Sequence, residues 1–143
     1  MADKLKIHWV TQDNLSTAYA NALGYSSHNA QMRKACAEYF DFDESAPIAI
    51  TITPADMFKP VPGKFNVLFT MWECLDVPKS YLPGLNSADL IIVPCEFCRE
   101  VFSPVTNKPI VVCHERADPE VFRFKERSMP DQSKGERFRY LWL

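Results

Sequence analysis

The stretch Ser87–Phe102, SADLIIVPCEFCREVF, limits what this chain can fold into more than any other. Ala88–Val93 is an apolar run interrupted only by Asp89, and it closes on two isoleucines and a valine. That pattern fits a short strand buried on both faces, as in a parallel sheet covered by helices. Pro94 ends the strand, because it has no backbone donor and a fixed φ. From Glu96 onward, Phe97, Val101 and Phe102 recur at helical spacing, which predicts an amphipathic helix. Strand, sharp turn and helix make the half-unit of an α/β fold, whose ligands sit outside the carboxyl ends of the strands. The turn Pro94-Cys95-Glu96 is therefore expected to face a cleft.

Other segments repeat the theme. Lys4–Thr11, Ala46–Thr53, Phe65–Trp72 and Lys108–Cys113 read as further strands, the last one short and buried. Gly24-Tyr25-Ser26-Ser27 reads as the start of a helix capped by serine, and the residues after it put Met32, Ala35, Cys36 and Tyr39 on one face. Asp56–Lys64 reads as a loop, and Val77–Asn86 as a short helix broken by Pro83-Gly84. Beyond the exit loop His114–Asp118, Pro119–Phe122 can start a helical turn. Phe124–Gly135 is polar and reads as a linker, after which Phe138–Leu143 alternates again. Strands separated by helical crossovers predict a Rossmann-like α/β domain over residues 1–135. Its sheet should be mainly parallel, with about five or more strands flanked by helices. Residues 136–143 read as the start of a second domain, or as an edge or swapped strand.

At 143 residues, 47% hydrophobic and 24% charged, the chain is long enough to bury one domain core. A net charge of −2 provides no field to attract nucleic acid or an anionic membrane. No apolar run approaches the ~20 residues of a membrane span. The N-terminus, MADKLKIHWV, carries charges where a secretory signal needs its apolar core, so a cytoplasmic location is expected. The five cysteines, Cys36, Cys74, Cys95, Cys98 and Cys113, are odd in number. Without a signal peptide they read as free thiols, most of them small buried hydrophobes.

Three passages, NVLFTMWE (Asn66–Glu73), ADLIIVPCEFCREVF (Ala88–Phe102) and KPIVVCHERADPEVF (Lys108–Phe122), together resemble the N-terminal half of a glycosyltransferase of the GT-B fold. The resemblance is to the large retaining group that includes sucrose and mannosyl transferases. It covers Phe65–Leu143 well and Leu5–Tyr39 more loosely, and FRYLWL resembles the first strand of that family's second domain. Such enzymes have two Rossmann-like domains facing a cleft. The N-terminal one chiefly contacts the acceptor, and the C-terminal one holds the nucleotide-sugar donor through paired glutamates. The resemblance implies the acceptor-side half of a hexosyltransferase, inactive without a donor-binding domain. Its partners would be a sugar or glycan acceptor and a nucleotide-sugar substrate, with no metal or other cofactor. The family's Gly-rich loop corresponds to Gly24-Tyr25-Ser26, and Arg116 stands where the family carries a glycine.

Individual residues then acquire candidate roles beside plainer ones. A helix start at Gly24, Tyr25 and Ser26 offers free N–H groups to an anion such as a diphosphate, or is simply a capped helix. Glu73, at a strand end beside Trp72, can orient or deprotonate an acceptor hydroxyl while the indole stacks on a sugar face; the plainer role is to cap the next turn. The retaining group has no agreed protein nucleophile, so none is assigned. Glu96 as a first-turn acid and Asp118 as a cap before Pro119 are substrate-side candidates that structure alone also explains. Cys95-Glu96-Phe97-Cys98 is a CxxC after a strand, the arrangement of thioredoxin-like redox sites. The strand order of that fold is absent, however, and no second CxxC supplies zinc with four thiolates. His8, His28 and His114 are too dispersed to suggest a metal site, and His8 reads as a packed or edge residue. The competing overall reading is a non-catalytic α/β binding or scaffold module, with a thiol-redox protein behind it.

Phe138, Tyr140 and Trp142 fall on one side of the last predicted strand, with Arg139, Leu141 and Leu143 on the other. A strand of this kind invites pairing with a second copy, and two-fold pairing closes the contact. A homodimer or higher assembly held partly by Phe138–Leu143 is expected. Sedimentation of the full chain and of one ending at Gly135 checks it: the first should run as an oligomer and the second as a monomer.

Overall fold

The computed structural model describes residues 4–10 and 33–115, together with Glu120, Arg123, Lys134 and Gly135. Among the described residues six strands form one sheet: β1 (Leu5–Val10), β2 (Phe40–Phe42), β3 (Ile48–Ile52), β4 (Phe65–Phe69), β5 (Leu90–Val93) and β6 (Ile110–Val112). Their order is β2-β1-β3-β4-β5-β6 and every pairing is parallel. Helices α1 (Tyr81–Ser87) and α2 (Glu96–Phe102) and a 3-10 turn, Ala55–Met57, pack on the sheet. The chain is thus an α/β protein with a Rossmann-like, all-parallel sheet. Among the described residues, no helix is long and apolar enough to cross a membrane.

The register sorts the side chains. Thr51 pairs with Leu68, Leu68 with Ile91 and Ile91 with Ile110, so these share a face. On that face Leu68, Ile91 and Val93 meet Ala55, Phe58, Tyr81, Leu85, Ala88, Cys98 and Phe102 in one core. Phe102 and Leu85 are wholly buried there, each contributing about 2 kcal/mol of apolar transfer energy. The opposite face carries Ile50, Phe69, Leu90 and Ile92, all half-buried.

Proline and glycine shape α1. The sequence predicts a helix broken at Pro83-Gly84, yet α1 runs through both residues. Ser80 is the cap, so Pro83 falls in the first turn, where backbone N–H groups have no partner within the helix and a missing donor costs nothing. Gly84 is buried because the helix lies directly on the 3-10 turn. A Cβ at this position would overlap the carbonyl of Ala55.

Several other expectations need correction. The segments read as strands do not include β2, which is only three residues long; with it the sheet has six strands, in keeping with the five or more expected. The chain leaves the helical residues 33–36 in a turn, with Tyr39 N–H donating to Cys36 C=O at 3.0 Å. Ala35 and Tyr39 are consequently exposed rather than part of a core face, and Met32 lies outside the described residues. In α2 the buried stripe is Cys98 and Phe102, not Phe97, which is 40% exposed. β6 is a sheet edge with Val111 half-exposed, not a buried strand. Of the cysteines only Cys98 is buried; Cys74 and Cys113 are exposed, and all five are free thiols. The predicted linker and Phe138–Leu143 lie outside the described residues, apart from Lys134 and Gly135.

Substitution tests the helix contact. Gly84→Ala should cost about 3 kcal/mol or more, because backbone lies on both sides of the overlap and neither can yield. Gly63→Ala should cost only about 1 kcal/mol, because φ is +75° there but the surroundings are open. Urea unfolding of both variants, read by Trp fluorescence, measures the difference.

Candidate functional site at the carboxyl edge of the sheet

A sheet whose strands all run one way collects every carboxyl end on one edge. The strand order reverses between β1 and β3, the usual place for a ligand crevice in such sheets. Gly24, Tyr25 and Ser26, which follow β1 in sequence, lie outside the described residues, as does Asp118. What the structure describes at this edge is a cluster at the exits of β4 and β5; a second cluster lies beside β1 and β2, where β2 ends level with the starts of β3 and β4.

The first cluster is built on the loop leaving β4. The strand was expected to reach Trp72, but it ends at Phe69, so Glu73 belongs to an exposed loop rather than a strand end. Thr70 is still tied in: its N–H donates to Ile92 C=O at 3.0 Å. It is 5% exposed, and its hydroxyl has no hydrogen-bond partner among the described residues. Trp72 folds the loop back. Its Nε1–H donates to Asp76 C=O at 2.9 Å and its ring meets Tyr81 edge-on, with centroids 4.9 Å apart. This loop, with Leu75 and Val77, also borders a hollow of about 480 Å³ against α2, which is where Phe97 and Val101 point.

The exit of β5 reaches the same place. Cys95 has extended backbone and caps α2, and Cys98 lies in the helix's first turn with its S–H aimed at Trp72 C=O, 3.4 Å away. Burial pushes the Cys98 thiol above the ordinary thiol range. A hydrogen bond with the Trp72 backbone draws it back, while Cys95 and the nearby Glu73 charge push it further up. Trp72, Glu73, Cys95 and Cys98 are therefore neighbours. Glu96 is exposed and paired with Arg99 across the first turn, a contact worth a few tenths of a kcal/mol. A ring nitrogen of His114, beyond β6, lies 3.1 Å from Pro94 C=O and ties the β6 exit to that of β5.

The second cluster surrounds a polar hollow of about 290 Å³ lined by His8, Trp9, Val10, Arg33, Phe42, Asp43 and Glu44. The Arg33 guanidinium stands 4.8 Å over the Phe42 ring, which meets Trp9 edge-on. The hydroxyl and amide of Ser45 hold the Asp43 carboxyl below its usual range, helped by Lys6 and Lys64. His8 Nδ1 is buried without a partner among the described residues. Sequence reasoning missed this cluster because it depends on β2, which brings Phe42 and Asp43 beside β1. Two strand spacings, about 10 Å, separate β1 from β4, so the clusters are distinct.

Among the described residues, no three His, Cys, Asp or Glu side chains are grouped to hold a metal ion. Thiol reactivity should follow exposure: iodoacetamide should modify Cys74 and Cys113 at least tenfold faster than Cys98 at neutral pH. The raised Cys98 thiol also sets a sign. Its contribution to stability is complete below the ordinary thiol pKa and is lost as pH rises through the folded-state value. Peptide mapping after timed alkylation, with unfolding followed into the alkaline range, measures both. No protein-family model, curated protein or solved structure matches the chain, so its fold and the two clusters are the available guides to its function.

Proposed function

We propose that this chain is the acceptor-side Rossmann-like domain of a retaining, nucleotide-sugar-dependent glycosyltransferase. The observation that carries the reading is the meeting of Trp72-Glu73, leaving β4, with Pro94-Cys95-Glu96, leaving β5, at the carboxyl edge of a parallel sheet. In this reading Glu73, exposed and mounted on a loop, accepts a hydrogen bond from an acceptor hydroxyl and orients it. Trp72 presents to a sugar the part of its ring that Tyr81 leaves open. Glu96 supplies a second carboxylate at the rim. The donor nucleotide sugar would be held chiefly by a second domain, which brings its own glutamates.

A binding or scaffold module without catalysis is the second reading. One observation favours it: the Trp72 indole N–H and part of its ring are already committed within the loop, as a purely structural tryptophan would be.

Backbone NMR with a panel of mono- and disaccharides separates the two. Sugars should shift the amides of Thr70–Glu73 and Cys95–Glu96. Glu73→Ala should weaken binding about tenfold, or about 1.4 kcal/mol, without loss of stability. Sugar-induced shifts that ignore Glu73→Ala, or none at tens of millimolar, would overturn the transferase reading.

A further inference from the structure

The Cys95–Cys98 pair has no part in the proposed sugar chemistry, and its geometry calls for its own account. The two sulfurs are in contact, 3.6 Å apart. Local structure brings them there. Cys95 keeps extended backbone, φ −154° and ψ 164°, as the cap of α2, and Cys98 follows three residues later on the inward side of the first turn. The thiols form a short relay, in which Cys95 S–H donates to the Cys98 sulfur and Cys98 S–H donates to Trp72 C=O. The pair is also asymmetric. Cys98 is 3% exposed, whereas Cys95 is half-buried and can be reached from the edge of the sheet.

We propose that Cys95 and Cys98 form a reversible dithiol–disulfide site that exchanges with low-molecular-weight disulfides. The Cys95 thiolate attacks one sulfur of an external disulfide, forming a mixed disulfide and expelling one external thiolate. Cys98 then gives up its proton to solvent, and its thiolate attacks Cys95 Sγ. The Cys95–Cys98 bond forms and the second external thiolate leaves. The two cysteines lose two electrons and two protons, and the external disulfide gains the two electrons as two thiolates. The reduced pair is the starting state in the structure.

Closing the bond reaches further than the two sulfurs. Cys98 surrenders the S–H that it donates to Trp72 C=O, so oxidation releases the inner end of the loop carrying Trp72 and Glu73. The redox state of the pair is thereby coupled to the setting of that loop, whatever the loop binds. Burial favours the neutral Cys98 thiol, which keeps the second attack waiting until Cys95 has already been capped.

Trypsin places both residues in one peptide, Ser80–Arg99, which contains no other cysteine. The full chain is equilibrated across a series of reduced-to-oxidised glutathione ratios, trapped with N-ethylmaleimide and mapped. At oxidising ratios this peptide should lose two hydrogens and all label. The peptides of Cys74 and Cys113 should instead carry glutathione, and dithiothreitol should reverse both. Trp fluorescence should change along the same titration. In Cys95→Ser, Cys98 should stay reduced and labelled. The proposal is overturned if Cys95 keeps glutathione while Cys98 remains labelled, or if both stay labelled throughout. It is equally overturned if Cys98 oxidises as readily in Cys95→Ser.

Discussion

The buried side chain of Asn66 holds the middle of the sheet together. It is 5% exposed, and a polar group so placed must find its partners inside the protein. Its oxygen accepts from Val61 N–H, and its amide donates to Val61 C=O and Lys64 C=O. Its backbone N–H donates to the Asp89 carboxylate, and its C=O accepts from Asp89 N–H. One residue thus fixes the loop before β4 and also aligns the start of β5. A buried polar group left unpaired costs about 1–3 kcal/mol, so the alternatives to this register are poor ones. Four residues further along β4, roughly 13 Å, that register delivers Thr70 and the Trp72 loop beside Pro94.

Much of this architecture could be read from the residues. β3, β4 and β5 are apolar runs with proline close by, and β1 alternates before a polar segment; that combination points to parallel strands with few rivals. What could not be read depended on partners distant in sequence. Phe40–Phe42 is too short to stand out, and only its pairing with Leu5–Ile7 makes it a strand. Pro83 and Gly84 look like a helix breaker until the cap is known to be Ser80 and the neighbour to be Ala55. Phe97 and Cys98 are adjacent, and helical spacing alone did not say which faces the core. The sheet settles it: Cys98 and Phe102 join Leu68, Ile91 and Val93 in the core, while Phe97 lines an outer hollow. Of the candidate site, Trp72, Glu73 and Glu96 were legible as strand-exit residues. The hollow around His8 and Arg33 was not, because it needs β2.

The two clusters differ chemically. At β4 and β5 the groups close together are an indole, two thiols and the Glu73 carboxylate, with the Glu96–Arg99 pair beside them. Beside β1 and β2 the lining is charged, and the Asp43 carboxyl is held below its usual range, first by Ser45 and then by two lysines. In the proposed reading the first setting takes an uncharged polyol, whose hydroxyl groups can be matched by a carboxylate and an aromatic face without a counter-charge.

The order of the strands has a consequence for how the sheet is assembled. β3, β4, β5 and β6 are neighbours in space in the order in which they occur in the chain, each joined to the next by a single connection. β1 is made first but lies between β2 and β3, so it must wait for partners that come after a longer intervening segment. Closing a loop costs more entropy as it lengthens. The block from β3 to β6 can therefore form early at low entropic cost, with β1 and β2 docking onto a template already in place. On this view the chain grows outward from Asn66, and the edge hollow around His8 is the last part of the described structure to take shape.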